Sequence, residues 1–151
     1  MTVDIDFITL SPEQTEKSGE ALAATILEDP SLPRFVALFG DLGVGKTAFV
    51  RGFTRAIAPT ARVKSPTFAL VNEYKGDPCS VFHFDMYRIE GEDDLYSIGF
   101  YDYMDRNGIC LTEWSENIEF ALPESYIRVQ IDKNDPSNTD SRHITVKAVG
   151  I

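Results

Sequence analysis

Arg34-Phe35-Val36-Ala37-Leu38-Phe39-Gly40-Asp41-Leu42-Gly43-Val44-Gly45-Lys46-Thr47 is the stretch whose reading decides the fold. Its first six residues are a short apolar run, the pattern of a buried strand. The next eight match G-x-x-x-x-G-K-[ST], the phosphate loop of nucleoside-triphosphate-binding proteins. Thr47-Ala48-Phe49-Val50-Arg51-Gly52-Phe53 then opens a helix. A strand, a glycine loop and a helix N-terminus, in that order, aim backbone N–H groups and the positive end of the helix dipole at one point, which makes an anion site. Gly40, Gly43 and Gly45 free the loop for dihedrals and close approaches that a Cβ would block. Lys46 is then placed to reach the β- and γ-phosphates, and the Thr47 hydroxyl to ligate Mg²⁺.

Upstream of this unit, residues 5–10 read as a strand. Ser11-Pro12-Glu13-Gln14 reads as a helix start, with Ser11 as N-cap, Pro12 at the first helical position and Gln14 completing a capping box. That helix is expected to run to about Glu28 and to end at Asp29-Pro30. Downstream, residues 68–74 and 80–85 are predicted to form a hairpin around the turn at 75–78. Short helical turns are expected over 92–98 and 100–105, a buried strand over 109–114, and an alternating strand over 126–132. Residues 133–141 read as a polar loop, and Ile144, Val146 and Ala148 mark a last strand. A strand–loop–helix unit mixed with hairpins predicts an α/β fold, a P-loop NTPase-like three-layer sandwich. Its mixed sheet is expected to have a parallel core, with the antiparallel strands at one side.

Composition narrows the class. A chain of 151 residues is by default one domain, large enough to bury roughly 68–70% of its unfolded surface. No apolar run approaches the roughly 20 residues of a membrane helix. The opening Met1-Thr2-Val3-Asp4-Ile5-Asp6 lacks a signal peptide's basic-then-apolar layout. Cys79 and Cys110 are the only cysteines. They are too few for a zinc or disulfide framework, and reduced thiols in a cytoplasmic protein are expected. With 24 acidic against 14 basic residues the formal charge is −10. A protein that grips nucleic acid by itself carries a basic surplus, so contact with RNA is expected to run through a partner.

Hydrolysis or transfer needs carboxylates around the metal, a group that orients the nucleophile and a sensor of the γ-phosphate. Asp85 closes the apolar strand Val81-Phe82-His83-Phe84, and Glu113 closes Ile109-Cys110-Leu111-Thr112. Acids at the C-terminal ends of strands lie where ligands bind in an α/β nucleotide fold. Either one can orient the water. Ser65-Pro66-Thr67-Phe68, about 20 residues past the loop, supplies hydroxyls at Ser65 and Thr67 for a switch that contacts the metal or its water. His83, between two phenylalanines, reads as structural, and His143 as an exposed residue heading the last strand. Trp114 reads as packing, with a role in shielding Glu113 as the alternative. Asp132-Lys133-Asn134-Asp135 has its asparagine in the wrong place for a guanine reader, so ATP is the expected nucleotide.

Taken together, the chain resembles the TsaE family (also called YjeE), the small P-loop ATPases of bacterial tRNA threonylcarbamoyladenosine synthesis. The phosphate loop at 40–47, Ser-Pro-Thr-Phe at 65–68 and Leu-Val-Asn-Glu-Tyr at 70–74 carry the resemblance. So do His-Phe-Asp-Met-Tyr-Arg at 83–88, Asp-Leu-Tyr-Ser-Ile-Gly-Phe at 94–100 and Cys-Leu-Thr-Glu-Trp at 110–114. They follow the family's order over about 11–149. The resemblance implies that Asp41, Leu42, Gly43, Val44, Gly45, Lys46, Thr47 and Ala48 bind the ATP phosphates. It also implies that Thr47 and Glu113 hold Mg²⁺, that Asp85 is the Walker-B-like acid, and that Thr15 and Arg142 lie near the nucleotide base. The implied partners are the TsaB–TsaD pair, which transfers the threonylcarbamoyl group to tRNA. Departures are few: Ala48 stands where a second threonine is usual, Met86 and Ile89 where leucines are common, and Thr112 where an apolar residue is usual.

Two other readings fit the phosphate loop. A stand-alone small-molecule kinase needs an acceptor pocket and an arginine-rich lid, which no stretch supplies. In a non-catalytic nucleotide-gated binding module ATP merely stabilises a contact.

Overall fold

The structure is a computed structural model that describes residues 3–40, 45–64 and 70–151. Twelve elements are described: β1 (Ile5–Thr9), α1 (Pro12–Glu28), β2 (Phe35–Phe39), α2 (Lys46–Ile57), β3 (Val71–Tyr74), β4 (Ser80–Asp85), α3 (Glu92–Ser97), α4 (Phe100–Met104), β5 (Gly108–Glu113), a 3-10 segment (Ser115–Ala121), β6 (Tyr126–Asp135) and β7 (Asn138–Val149). The strands form one seven-stranded sheet in the order β1-β7-β6-β2-β5-β4-β3. β2 lies parallel to β5 and β6, and β4 parallel to β5. β7 and β1 are antiparallel on one side, and β3 is antiparallel to β4 on the other. The expected mixed sheet with a parallel core is present, but antiparallel strands flank it on both sides and not on one.

All five residues of β2 are buried, because helices cover both faces of the central strand. Alternation divides its side chains. Val36 and Leu38 join Leu22 and Ile26 of α1 and Phe49, Val50, Phe53 and Ile57 of α2. Phe35, Ala37 and Phe39 join Leu95 of α3, Phe100 of α4 and Ile118 of the 3-10 segment. The aromatics on this second face meet edge-on, with Phe84 and Phe100 centroids 5.4 Å apart. The result is three layers.

Helix α1 starts where the sequence places it. Ser11 is extended at the N-cap and its Oγ accepts from the Gln14 N–H at 3.2 Å, with Pro12 opening the helix. The return bond of the box is shifted by one residue: Gln14 Oε1 accepts from the Leu10 N–H, at 2.8 Å. The polar stretch read as a loop over 133–141 is instead a hairpin. β6 and β7 continue as strands to the Asp135–Asn138 pair, and Asp135 Oδ1 accepts from the Ser137 N–H at 2.9 Å in the turn. Much of this extension is exposed, so ladder hydrogen bonds hold it without the apolar alternation that marks a strand in sequence. For the same reason His143 sits within β7 and does not head it. Thr112, the departure from an apolar residue, is fully buried and satisfies its hydroxyl against Ser115 Oγ at 2.7 Å.

Candidate functional site

The site gathers at the C-terminal ends of the parallel strands. Gly40 follows β2 with a φ of 136°, and Gly45 precedes α2 with a φ of 96°; both lie in the half of backbone space that a side chain disfavours. Asp41, Leu42, Gly43 and Val44 lie outside the described residues, as do Ser65 and Thr67 of the expected switch. Lys46 opens α2 and is 95% buried at a relative exposure of 5%. Its ammonium donates to the Gly40 carbonyl at 2.7 Å and sits 4.4 Å from the centroid of the Trp114 ring. A buried ammonium needs such partners, here a carbonyl dipole and the negative face of an indole. Thr47 is exposed in the first turn of α2, and Ala48 beside it is half-buried.

The two acids are neighbours. Asp85 and Glu113 end β4 and β5 as directly paired residues of the parallel ladder. By strand alternation they share a face with Val81 and Leu111, the face that packs on α1 and α2. Glu113 is only 8% exposed, and its Oε2 accepts from His83 Nε2 at 2.5 Å. Asp85 is half-buried and accepts from the Tyr87 N–H at 3.0 Å. Burial raises the Asp85 carboxyl above the ordinary carboxylate range; the Tyr87 N–H opposes that shift, Glu113 adds to it, and His83 and Lys46 oppose it.

Three further residues close the arrangement. Trp114 takes the left-handed conformation, φ 56° and ψ 41°, at a cost of roughly 1–2 kcal/mol for a side chain of this kind. This bend turns the chain from β5 into the 3-10 segment and brings the indole to the Lys46 ammonium. Tyr87, largely exposed, lies tilted against the Trp114 indole, with ring centroids 5.0 Å apart and an interplanar angle of 56°. Glu116, in the 3-10 segment, accepts from the Gly40 N–H at 3.1 Å.

Thr15 and Arg142 reach the loop from α1 and β7. A Cβ built on Gly45 would lie 3.7 Å from Arg142 Nε and 4.0 Å from Thr15 Cγ2. Thr15 is buried, with its hydroxyl 2.8 Å from that of Thr9. Arg142 Nη1 donates to the Thr139 and Ser141 carbonyls, which ties the guanidinium to the β6–β7 hairpin. What draws α1 so close is a pair of glycines. A Cβ on Gly19 would fall 2.1 Å from the Phe49 carbonyl oxygen, and one on Gly52 would fall 1.8 Å from that of Glu16. A cavity of about 580 Å³, lined by Arg142, Thr139 and Lys133 among others, adjoins this corner. Another of about 570 Å³ opens among the N-terminal ends of the strands, beside Arg34 and Gly108, away from both acids.

Thr15 and Arg142 thus lie by Gly45, and Asp85, paired with Glu113, feels the charge of Lys46. His83 is buried as the sequence suggests, but it is bonded to Glu113. Glu116 gave no signal at all, since only the tertiary fold brings it to Gly40. Trp114 was legible as Glu113's neighbour; its contact with Lys46 was not. Among the described residues no three His, Cys, Asp or Glu side chains converge as a metal cage. The oxygen donors present fit a hard cation that keeps waters and phosphates as most of its ligands, as Mg²⁺ does.

Comparisons with known proteins agree on one family. The family model "Threonylcarbamoyl adenosine biosynthesis protein TsaE" matches residues 9–144. The tRNA threonylcarbamoyladenosine biosynthesis protein TsaE of Bacillus subtilis is 36% identical over 142 residues, 94% of this chain and 84% of that protein. Its namesake in Haemophilus influenzae is 43% identical over 113 residues, 75% of this chain and 69% of that one. A crystal structure of Bacillus subtilis YdiB superposes with a TM-score of 0.74 at 28% identity, covering 100% of this chain and 89% of that one.

Proposed function

The chain belongs to the TsaE family, and from that premise we propose that it is the Mg²⁺-dependent ATPase subunit of a cytoplasmic assembly that makes N6-threonylcarbamoyladenosine in tRNA, with residues 1–151 forming its single P-loop ATPase domain. The observation that carries the proposal is a buried phosphate-loop lysine whose charge acts on Asp85, at the end of a sheet where Asp85 pairs with Glu113. Lys46 neutralises charge on the β- and γ-phosphates, and the amides at the start of α2 hold the phosphates in place. Thr47 and Glu113 would hold the metal, which would supply positive charge to offset the charge that develops on the phosphates in the transition state. Asp85 orients the attacking water. The burial that raises its carboxyl makes it a better proton acceptor than an exposed aspartate once ionised. Thr15 and Arg142 border the base, and Ser65 and Thr67 sense the γ-phosphate.

The partners are TsaB- and TsaD-like proteins, and tRNA is met only through them. A net charge of −10 suits a subunit that does not itself grip RNA. The test is ATP hydrolysis by the purified chain, alone and with its TsaB and TsaD partners and tRNA. Hydrolysis is expected to be weak alone and to rise with the partners. Lys46→Ala is expected to abolish ATP binding by calorimetry. Unchanged affinity in that variant would refute the loop assignment. Robust phosphoryl transfer to a metabolite by the chain alone would make it a kinase, and tRNA modification that survives loss of ATP hydrolysis would make it a nucleotide-gated module.

A further inference from the structure

His83 is the buried polar residue that this mechanism leaves without a task. It is 1% exposed in the middle of β4, where Phe82 and Phe84 on either side point into the opposite core. The ladder places it across from Leu111, and its ring reaches two residues further along β5 to Glu113. Nε2 lies 2.5 Å from Glu113 Oε2. Nδ1 is buried and has no hydrogen-bond partner. A carboxylate oxygen accepts, so in this contact Nε2–H is the donor. A histidine kept for packing alone would be replaced at lower cost by an apolar ring, which leaves no buried nitrogen unpaired. What the imidazole adds is its one bond to Glu113.

We infer that His83 is a positioning residue: its Nε2–H holds Glu113 Oε2 and so presents the other carboxylate oxygen, Oε1, to the metal. This rests on the reading of Glu113 as a metal ligand given above. Among the described residues, His83 supplies the hydrogen bond recorded to that carboxylate, and it does so from inside a strand, where the ring cannot swing away. A bond to one oxygen selects the carboxylate's orientation before metal arrives, so less freedom is lost on binding. The bond is charge-assisted and shielded from water, which strengthens it.

Three substitutions separate this role from packing. In His83→Gln the side-chain amide nitrogen falls near the position of Nε2 and can still donate to Glu113. In His83→Asn the amide nitrogen falls near Nδ1, too short to reach it. His83→Leu fills the space with no donor. The readout is the affinity of Mn²⁺ for the complex of the full chain with ADP, followed by electron paramagnetic resonance. ADP affinity in EDTA is measured alongside by calorimetry, and folding by circular dichroism. His83→Asn and His83→Leu are expected to weaken Mn²⁺ roughly 10- to 100-fold, with ADP affinity in EDTA unchanged. His83→Gln is expected to stay within about threefold of the parent, a fraction of that loss. If His83→Leu fails to fold, the Asn and Gln pair decides. Parent-like Mn²⁺ affinity in a folded His83→Leu or His83→Asn overturns the proposal, as does a His83→Gln variant that loses as much as His83→Asn. Glu113→Gln tests the premise separately: retained Mn²⁺ affinity there sinks the metal assignment itself, whatever the His83 variants do.

Discussion

Where α1 packs on α2, the chain cuts its side chains back to glycine at Gly19 and Gly52 so that backbones touch. Where β4 and β5 end, on the same face of the sheet, it gathers His83, Asp85 and Glu113 instead. The first contact is apolar close packing and serves stability, since protein interiors gain from density and lose when it is disturbed. The second works against stability: charged groups give up water, and one buried nitrogen is left unpaired. Yet the two depend on each other. The glycine contact brings Thr15 to Gly45 and anchors the helix that begins with Lys46, while the strand ends hold the acids opposite. Rigid packing on one side lets costly polar groups persist on the other.

The contrast is open to breakage, from its strongest consequence down. Gly52→Ala forces a methyl onto the Glu16 carbonyl oxygen, and backbone on both sides leaves little to yield. A loss of about 3 kcal/mol in urea unfolding is expected, with weaker ATP binding as α1 and α2 separate. Unchanged stability would mean that the helix contact tolerates separation and does not anchor the site. Asp85→Asn is expected to do the reverse. Its folded-state pKa lies above the ordinary value, so ionised Asp85 disfavours the fold at neutral pH. That penalty fades as pH falls through the raised pKa and is gone below the ordinary range. The amide removes the charge, so the melting temperature at pH 7 is expected to hold or rise slightly, while partner-stimulated ATP hydrolysis falls about 100-fold or more. A marked drop in melting temperature would show that the strand ends are structural after all. Ser11→Ala carries the smallest effect. Loss of the bond to the Gln14 N–H is expected to cost about 1 kcal/mol in unfolding, with ATP affinity unchanged, because the helix is held mainly by its packed face.

Local rules explain what was legible. The strand–glycine–helix unit, the Ser11 cap and the buried strand before the loop all depend on residues within a few positions of one another. The strand ends could be read as well, because Asp85 and Glu113 each follow a run of four residues, three of them apolar. The hairpin beyond Lys133 was not legible. Its polar residues satisfy the ladder's hydrogen bonds as well as apolar ones would, and exposure removes the need for alternation. Nor was Trp114 over Lys46, since nothing in Glu113-Trp114-Ser115 announces a left-handed tryptophan. The site residues expected at Asp41–Val44, Ser65 and Thr67 lie outside the described residues.

By itself, then, the sequence determined that a phosphate-loop motif stands between a buried strand and a helix, and that acids end two further strands. Only the tertiary structure decided that those two strands lie side by side, so that Asp85 pairs with Glu113, and that His83 meets a carboxylate 30 residues away. It also decided that Thr15 and Arg142, from opposite ends of the chain, flank Gly45. The physical reason is reach. Propensity, capping and periodicity act over one or two turns, whereas strand order is selected by burying the whole apolar surface at once, and no short segment contains that choice.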